Sequence, residues 1–97
     1  MNNNYFVYIL TNKSNSVIYT GVTNDIYRRI YEHTDAILNS FTKKYNVNKL
    51  IFVEIYPSPI EAIAREKYIK GKTRNWKDSL INSQNPKWRD LTKLYKN

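Results

Sequence analysis

Three short segments of the chain have the composition of β-strands, and this small number limits the folds that are open to it. Residues 5–10 (YFVYIL) and 17–22 (VIYTGV) are rich in aromatic and β-branched residues, and the polar segment TNKSNS between them predicts a hairpin. Residues 50–56 (LIFVEIY) are almost continuously apolar, which is typical of a central or well-covered strand. Because three strands make only a small sheet, helices must cover its faces.

The segments between and after these strands predict the covering helices. Thr23 or Asn24 is suited to begin the first helix, to which Ile26 and Ile30 give an apolar face. Gly21, inside the second strand, indicates a bulge or a close approach of backbone or ligand. Further helical segments are predicted at residues 36–46, 60–71 and 73–82, with one more turn in the tail WRDLTKLY.

Length and charge restrict the class of protein. The 97 residues predict one domain, residues 1–97. Sixteen Lys and Arg residues against eight Asp and Glu residues give a net charge of +8, which favours a polyanionic partner, most often nucleic acid. The chain has no cysteine, no apolar run near the ~20 residues that span a bilayer and no signal-peptide pattern, so we expect a cytoplasmic protein without a membrane partner.

Two side chains of the first predicted helix are candidates for chemistry. Arg29 and His33 are four residues apart and therefore share a face, beside the apolar Ile26 and Ile30. A cation and an imidazole at the edge of an apolar stripe are suited to a reaction centre. The structural alternative is that Arg29 extends its charged end into solvent and that His33 forms one buried hydrogen bond.

Glu66 is the third candidate, because it interrupts the apolar stripe of Ala62 and Ile69. A carboxylate in that position is costly unless it is paired or binds a metal ion. One carboxylate suits Mg²⁺, which keeps several of its waters. The structural alternative is an ion pair, and the sequence leaves its partner open among Arg65, Lys70 and Arg29.

Tyrosines and basic residues complete the set of candidates. A phenol, with an ordinary pKa near 10, is a poor base unless cations stabilise the phenolate, so Tyr8 and Tyr19 on the hairpin would need a basic site. The segment REKYIKGKTRNWK contains six basic residues, one acidic residue and Trp76, a pattern that can follow a phosphate backbone and stack on a base. The alternative is a solvated helix face with Trp76 and Trp88 in the core. The residues predicted to contact nucleic acid are Arg28, Lys43, Lys44, Lys70, Lys72 and Arg74.

Taken together, these segments resemble the GIY-YIG nucleases. FVY at residues 6–8 and YTG at residues 19–21 are similar to the paired motif that gives the family its name, and Arg29 follows Tyr19 at the family's spacing. The segments FTKKYNVNKLIFVEIY, AIAREKYIKGKTRNWKDSLI and NPKWRDL resemble the small stand-alone GIY-YIG proteins of bacteria and their viruses. The resemblance extends over essentially the whole chain.

The resemblance implies an α+β fold, a three-stranded antiparallel sheet flanked by helices, and the hydrolysis of a phosphodiester with one divalent metal ion. By analogy, Glu66 holds the metal ion and Arg29 stabilises the charge on the phosphoryl oxygens. Tyr19 readies the attacking water, as a phenolate or through another water, and Tyr8 positions that water or Tyr19. His33 stands where relatives carry a Tyr or His near the reacting phosphate.

The sequence departs from the family pattern at four positions. Phe6 replaces the first glycine, Thr20 the middle residue of the second motif, Val22 a lysine and Arg89 a late asparagine. Asn82 or Asn85 is an alternative source of that asparagine.

Two functions follow as hypotheses. The first is an endonuclease that depends on Mg²⁺ or Mn²⁺ and acts on DNA rather than RNA, with single-stranded and double-stranded substrates both open. The second is a catalytically weak or inactive module that binds nucleic acid through its basic surface. The sequence leaves both a monomer and a homodimer open.

Overall fold

A three-stranded antiparallel sheet is the centre of the computed structural model, which describes residues 4–34 and 44–95. Its strands are β1 (Tyr5–Thr11), β2 (Ile18–Thr23) and β3 (Lys49–Tyr56), in the spatial order β2-β1-β3. Both neighbouring pairs are antiparallel. The predicted strand positions are therefore correct to within one residue at each end.

Three helices and one short turn lie within the described residues. They are α1 (Ile26–Thr34), α2 (Pro59–Lys70), α3 (Arg74–Gln84) and a 3₁₀ turn at Thr92–Tyr95. Most of the helix predicted at residues 36–46 falls outside the described residues. None of the described helices combines the length and the apolar character that crossing a bilayer requires.

Both faces of the sheet are buried. Alternate residues of β1 point to opposite sides and therefore belong to two separate buried clusters. Val7 and Ile9 pack on one face with Ala62 and Ile69 of α2. The opposite face is covered by α1, and its buried cluster contains Tyr8, Leu10, Ile26, Ile30, Val47, Leu50 and Val53. The predicted apolar face of the first helix is thus confirmed.

The strand β3 lies at the edge of the sheet, and β1 is central. The apolar run of β3 was interpreted as a central strand or a well-covered strand, and the second interpretation is correct. The chain after α3 also covers the outer edge of β3. Gln84 exchanges two hydrogen bonds with the backbone of Val53, at 3.0 and 2.8 Å, and Asp90 accepts one from the Leu50 backbone at 3.2 Å. The strand β2 forms the other edge of the sheet, and each of its residues is buried or partly buried.

Candidate active site

Tyr8 and Tyr19 lie on the same face of the hairpin, but in different environments. Tyr8 is fully buried beneath α1, whereas Tyr19 is partly exposed on the edge strand β2. Their ring centroids are 6.4 Å apart. The hairpin therefore places one buried phenol beside one phenol that solvent can reach.

The ionisation of Tyr8 shows which charged groups surround it. Burial is the main cause that raises the pKa of this phenol far above its ordinary value of 10.0, and the positive charge of Arg29 opposes the increase. Tyr19, Glu32 and Glu66 each raise the pKa further by their proximity. Tyr8 therefore shares its electrostatic surroundings with Tyr19, Arg29 and Glu66, three residues that the sequence analysis named as candidates.

Glu66 reaches this cluster from the opposite face of the sheet. It lies on α2, and its side chain is only 13% exposed. Lys70, one helical turn later, places Nζ 2.7 Å from Glu66 Oε2 and 5.9 Å from the centre of the Tyr19 ring. Because β2 is an edge strand, side chains of α2 can meet those of the hairpin around that edge.

The structure also identifies the ion-pair partner of Glu66, which the sequence left open. Lys70 is that partner. Arg65 instead forms two hydrogen bonds with Glu54 on β3, at 2.9 and 3.1 Å. Arg65 and Glu66 are adjacent in sequence, but they face opposite flanks of α2 and serve different parts of the structure.

Arg29 lies on α1, and its side chain is 31% exposed. Its Nε lies 3.5 Å from Glu32 Oε1, yet this buried nitrogen has no hydrogen-bond partner within the described residues. Glu32 also lies 3.9 Å from Arg28 Nε. Sequence reasoning missed Glu32, although its i+3 and i+4 spacing from the two arginines was the available signal.

A cavity of about 290 Å³ opens beside Arg29. Arg28 and Arg29 form its basic wall, and Tyr5 and Ile63 belong to its apolar wall. The other lining residues are Val22, Thr23, Asn24 and Pro59. A guanidinium that lines such an opening can bind a phosphate oxygen.

The carboxylate of Glu66 fits a magnesium ion that keeps most of its waters. Within the described ranges, no group of three or more His, Cys, Asp or Glu side chains is placed to hold a metal ion. A site built from protein ligands alone is therefore not formed by these residues. One carboxylate, completed by water and by phosphate oxygens of a substrate, is an ordinary ligand set for Mg²⁺.

Both candidate late asparagines serve the turn after α3. Asn85 is buried, and its amide donates to the carbonyl oxygens of Ile51 and Arg89 and accepts from the Arg89 backbone, at 3.0, 2.9 and 3.0 Å. Asn82 accepts a hydrogen bond from the Trp88 indole at 2.6 Å. This turn lies against β3, across the sheet from Tyr19. The structure therefore gives the cluster around Tyr8 no amide from either residue.

The residues predicted to contact nucleic acid lie on several elements. Arg28 lies at the cavity, and Lys70 lies between Glu66 and Tyr19. Lys72 is stacked over Tyr68, with Nζ 4.3 Å from the ring centre.

The other basic candidates lie near the hairpin turn. Arg74 donates to the carbonyl oxygens of Asn15 and Ser16 and to Asp78, at 2.5, 2.9 and 2.7 Å, so its guanidinium connects α3 to that turn. Lys44 contacts the Tyr45 ring, which lies at a cavity with residues 12–14 of the same turn. Lys43 and the side chain of His33 fall outside the described part of the chain, although His33 belongs to α1.

The structural alternative placed the two tryptophans in the core, whereas the structure shows both of them partly buried at its margin. Both pack against the buried cluster that contains Val7 and Ile9. Trp76 also meets Tyr68 edge to face, with ring centroids 5.6 Å apart.

Comparison with known proteins shows the family of this chain. The family model of the GIY-YIG catalytic domain matches residues 4–79. The UPF0213 protein CPE1444 of Clostridium perfringens is 40% identical over 82 residues, which cover 84% of this chain and 87% of the relative. The UPF0213 protein YazA of Bacillus subtilis is 38% identical over 79 residues, covering 81% and 79% of the two chains.

A solved structure supports the same conclusion for the fold. The solution NMR structure of the UPF0213 protein BH0048 from Bacillus halodurans is 32% identical and superposes with a TM-score of 0.59. The match covers 97% of this chain and 99% of that one. The family model, the sequence relatives and the solved structure all agree, and the chain therefore belongs to the family of GIY-YIG catalytic domains.

Proposed function

We propose that this protein is a metal-dependent endonuclease that hydrolyses phosphodiester bonds in DNA. The observation that carries the proposal is the convergence of Tyr19, Arg29 and Glu66 around the buried phenol of Tyr8. Phosphodiester hydrolysis needs a group that activates water, a cation for the developing negative charge and a ligand for a metal ion. In this proposal Tyr19 activates the water, Arg29 is the cation and Glu66 is the metal ligand.

Glu66 holds one Mg²⁺ or Mn²⁺ ion in this proposal. When bound, such an ion supplies a Lewis acid that polarises a phosphoryl oxygen. Arg29 stabilises the negative charge that develops on the phosphoryl oxygens during attack by water. Its position in the lining of the cavity, with the side chain 31% exposed, is consistent with that role.

The two tyrosines take different roles because their burial differs. Tyr8 stays protonated, since burial raises its pKa far above the ordinary value. It is therefore a hydrogen-bond donor that positions Tyr19 or the attacking water. Tyr19 is partly exposed, so it is the phenol that meets this water and accepts its proton, as a phenolate or through a second water.

The basic surface binds the phosphate backbone on either side of the cleaved bond. Arg28 and Lys72 are suited to this contact, and His33 is placed near the reacting phosphate by analogy with the family. Lys43, Lys44, Lys70 and Arg74 complete the proposed set. The net charge of +8 supports a polyanionic substrate.

A cleavage assay tests the proposal. Purified protein is incubated with labelled single-stranded and double-stranded DNA in Mg²⁺, in Mn²⁺ and in chelator, beside Glu66→Gln and Tyr19→Phe. We expect metal-dependent internal cleavage that both variants lose, and the comparison of substrates identifies the preferred strand form. Lys67→Gln is the matched control, because it removes a charge from an exposed position of the same helix.

A binding module would behave differently. In that case the wild type and both variants bind DNA with equal affinity, measured by fluorescence anisotropy, and none of them cleaves it. This outcome would reject the nuclease and retain the basic surface as the functional feature.

A further inference from the structure

We propose that Lys70 is a built-in counter-ion that occupies the metal position at Glu66 until a divalent cation displaces it. This inference rests on the proposed function, because it assumes that Glu66 is the metal ligand. In this inference Lys70 competes with the metal ion for the same carboxylate oxygen.

The contact between the two side chains is direct. Lys70 Nζ lies 2.7 Å from Glu66 Oε2, which is the distance of a charge-assisted hydrogen bond. Within the described residues, Glu66 forms no other ion pair. The carboxylate is 13% exposed, and a charge so little hydrated needs a nearby partner. In the free protein the ammonium supplies it.

The ammonium and a metal ion compete for this carboxylate. A divalent cation at Glu66 would stand within a few ångströms of the Lys70 charge, and like charges at that separation repel strongly. Binding of the metal ion therefore favours departure of the ammonium. The ion pair thus lowers the affinity of the free site for metal.

Lys70 can leave at little cost. Its side chain is 50% exposed, and it is the last residue of α2, so the ammonium can extend into solvent without disturbing the core. In its present position it also lies over the Tyr19 ring, at 5.9 Å. A substrate phosphate near Tyr19 would offer the displaced ammonium a new partner.

The competition is measured with Mn²⁺ and the free protein, without nucleic acid. Electron paramagnetic resonance of unbound Mn²⁺ gives the dissociation constant for the wild type and the variants. We expect Lys70→Gln to bind Mn²⁺ about three- to tenfold more tightly than the wild type, as loss of a half-exposed ion pair allows. Lys70→Arg keeps the counter-ion and should remain close to the wild type.

Three controls make the result specific. Lys67→Gln has the same loss of charge in the same helix without touching Glu66, and it should match the wild type within about twofold, since exposed charges are screened. Glu66→Gln should abolish the binding. Mn²⁺ should also raise the melting temperature of Lys70→Gln more than that of the wild type, because the metal ion replaces the missing counter-ion.

The outcomes separate this inference from the nuclease proposal. Equal or weaker Mn²⁺ binding by Lys70→Gln, or an equal gain in Lys67→Gln, would overturn the role of Lys70. If cleavage still depends on Glu66 in that case, the nuclease proposal stands alone. A merely structural Lys70 would lower the melting temperature of the variant without raising its affinity for Mn²⁺.

Discussion

The ring of Tyr8 lies directly over Gly21, its partner on the neighbouring strand. A Cβ atom at position 21 would stand 2.5 Å from Tyr8 Cζ, so this position has no room for a side chain. The sequence predicted a bulge or a close approach of backbone or ligand at this glycine, whereas the structure shows a regular register and the approach of a neighbouring side chain. The glycine of the second motif therefore makes space for the buried phenol of the first.

Gly21→Ala should lower the free energy of unfolding by about 1–3 kcal/mol, the usual cost of overpacking. Chemical denaturation measures the change. Gly71→Ala is the matched control, because a Cβ there meets only ordinary contacts at 3.6 Å and the backbone φ of −79° is helical. That substitution should be neutral or stabilising by about 0.4–1 kcal/mol. Equal losses at both positions would contradict the steric explanation.

Stability should fall at alkaline pH because of Tyr8. Its pKa is raised in the folded protein, chiefly by burial, so the unfolded chain releases the phenol proton first as pH rises above 10.0. The stabilisation is fully present below pH 10 and is lost above it, by up to about 1.4 kcal/mol per pH unit. Denaturation between pH 9 and pH 11 should show a smaller loss in Tyr8→Phe than in the wild type. An identical slope would exclude this origin.

Arg29 and Arg28 are adjacent, and their replacement should have unequal effects on cleavage. Arg29→Lys should reduce the rate constant of DNA cleavage about a hundredfold or more, because an ammonium lacks the planar fork that binds phosphoryl oxygens. Arg28→Lys should cause a far smaller loss, since its side chain is 54% exposed. Its proposed contact with the phosphate backbone of DNA depends on charge, which lysine keeps. Single-turnover kinetics test both, and comparable losses would contradict the assignment.

Arg65→Lys should affect stability and leave the metal dependence unchanged. The substitution removes the paired hydrogen bonds from the Arg65 guanidinium to the Glu54 carboxylate. It should lower the free energy of unfolding by about 1 kcal/mol. The concentration of Mg²⁺ that gives half-maximal cleavage should remain that of the wild type. A shift in that concentration would show that Arg65 influences Glu66, its neighbour in sequence.

Asn85→Ala should destabilise the fold but should leave the rate of DNA cleavage unchanged. The substitution leaves the Ile51 carbonyl and both Arg89 backbone groups unpaired, at a cost of about 2–3 kcal/mol. Asn82→Ala should cost about 1 kcal/mol or less, because its single bond to the Trp88 indole is exposed. Under conditions that keep both variants folded, each should cleave DNA at the wild-type rate. A selective loss of cleavage in either would identify the late asparagine.

Patterns of neighbouring residues were sufficient to predict the main elements of the fold. The strands at 5–10, 17–22 and 50–56 are visible because these segments are rich in aromatic and β-branched residues or are almost continuously apolar. Local pattern also singled out Glu66, since its carboxylate interrupts an apolar helical stripe. The family resemblance then supplied the antiparallel sheet, which the structure confirms.

Only the tertiary structure decided which distant groups meet. The sequence left three partners for Glu66. The structure pairs Glu66 with Lys70, its i,i+4 neighbour on α2, because Arg65 is bound to Glu54 on the distant strand β3. Two tyrosines of similar local composition became one buried phenol and one partly exposed phenol, because β1 is central and β2 is at the edge. Local sequence determines which residues are buried along each element, whereas the order of strands and the side on which each helix packs determine which charges face one another.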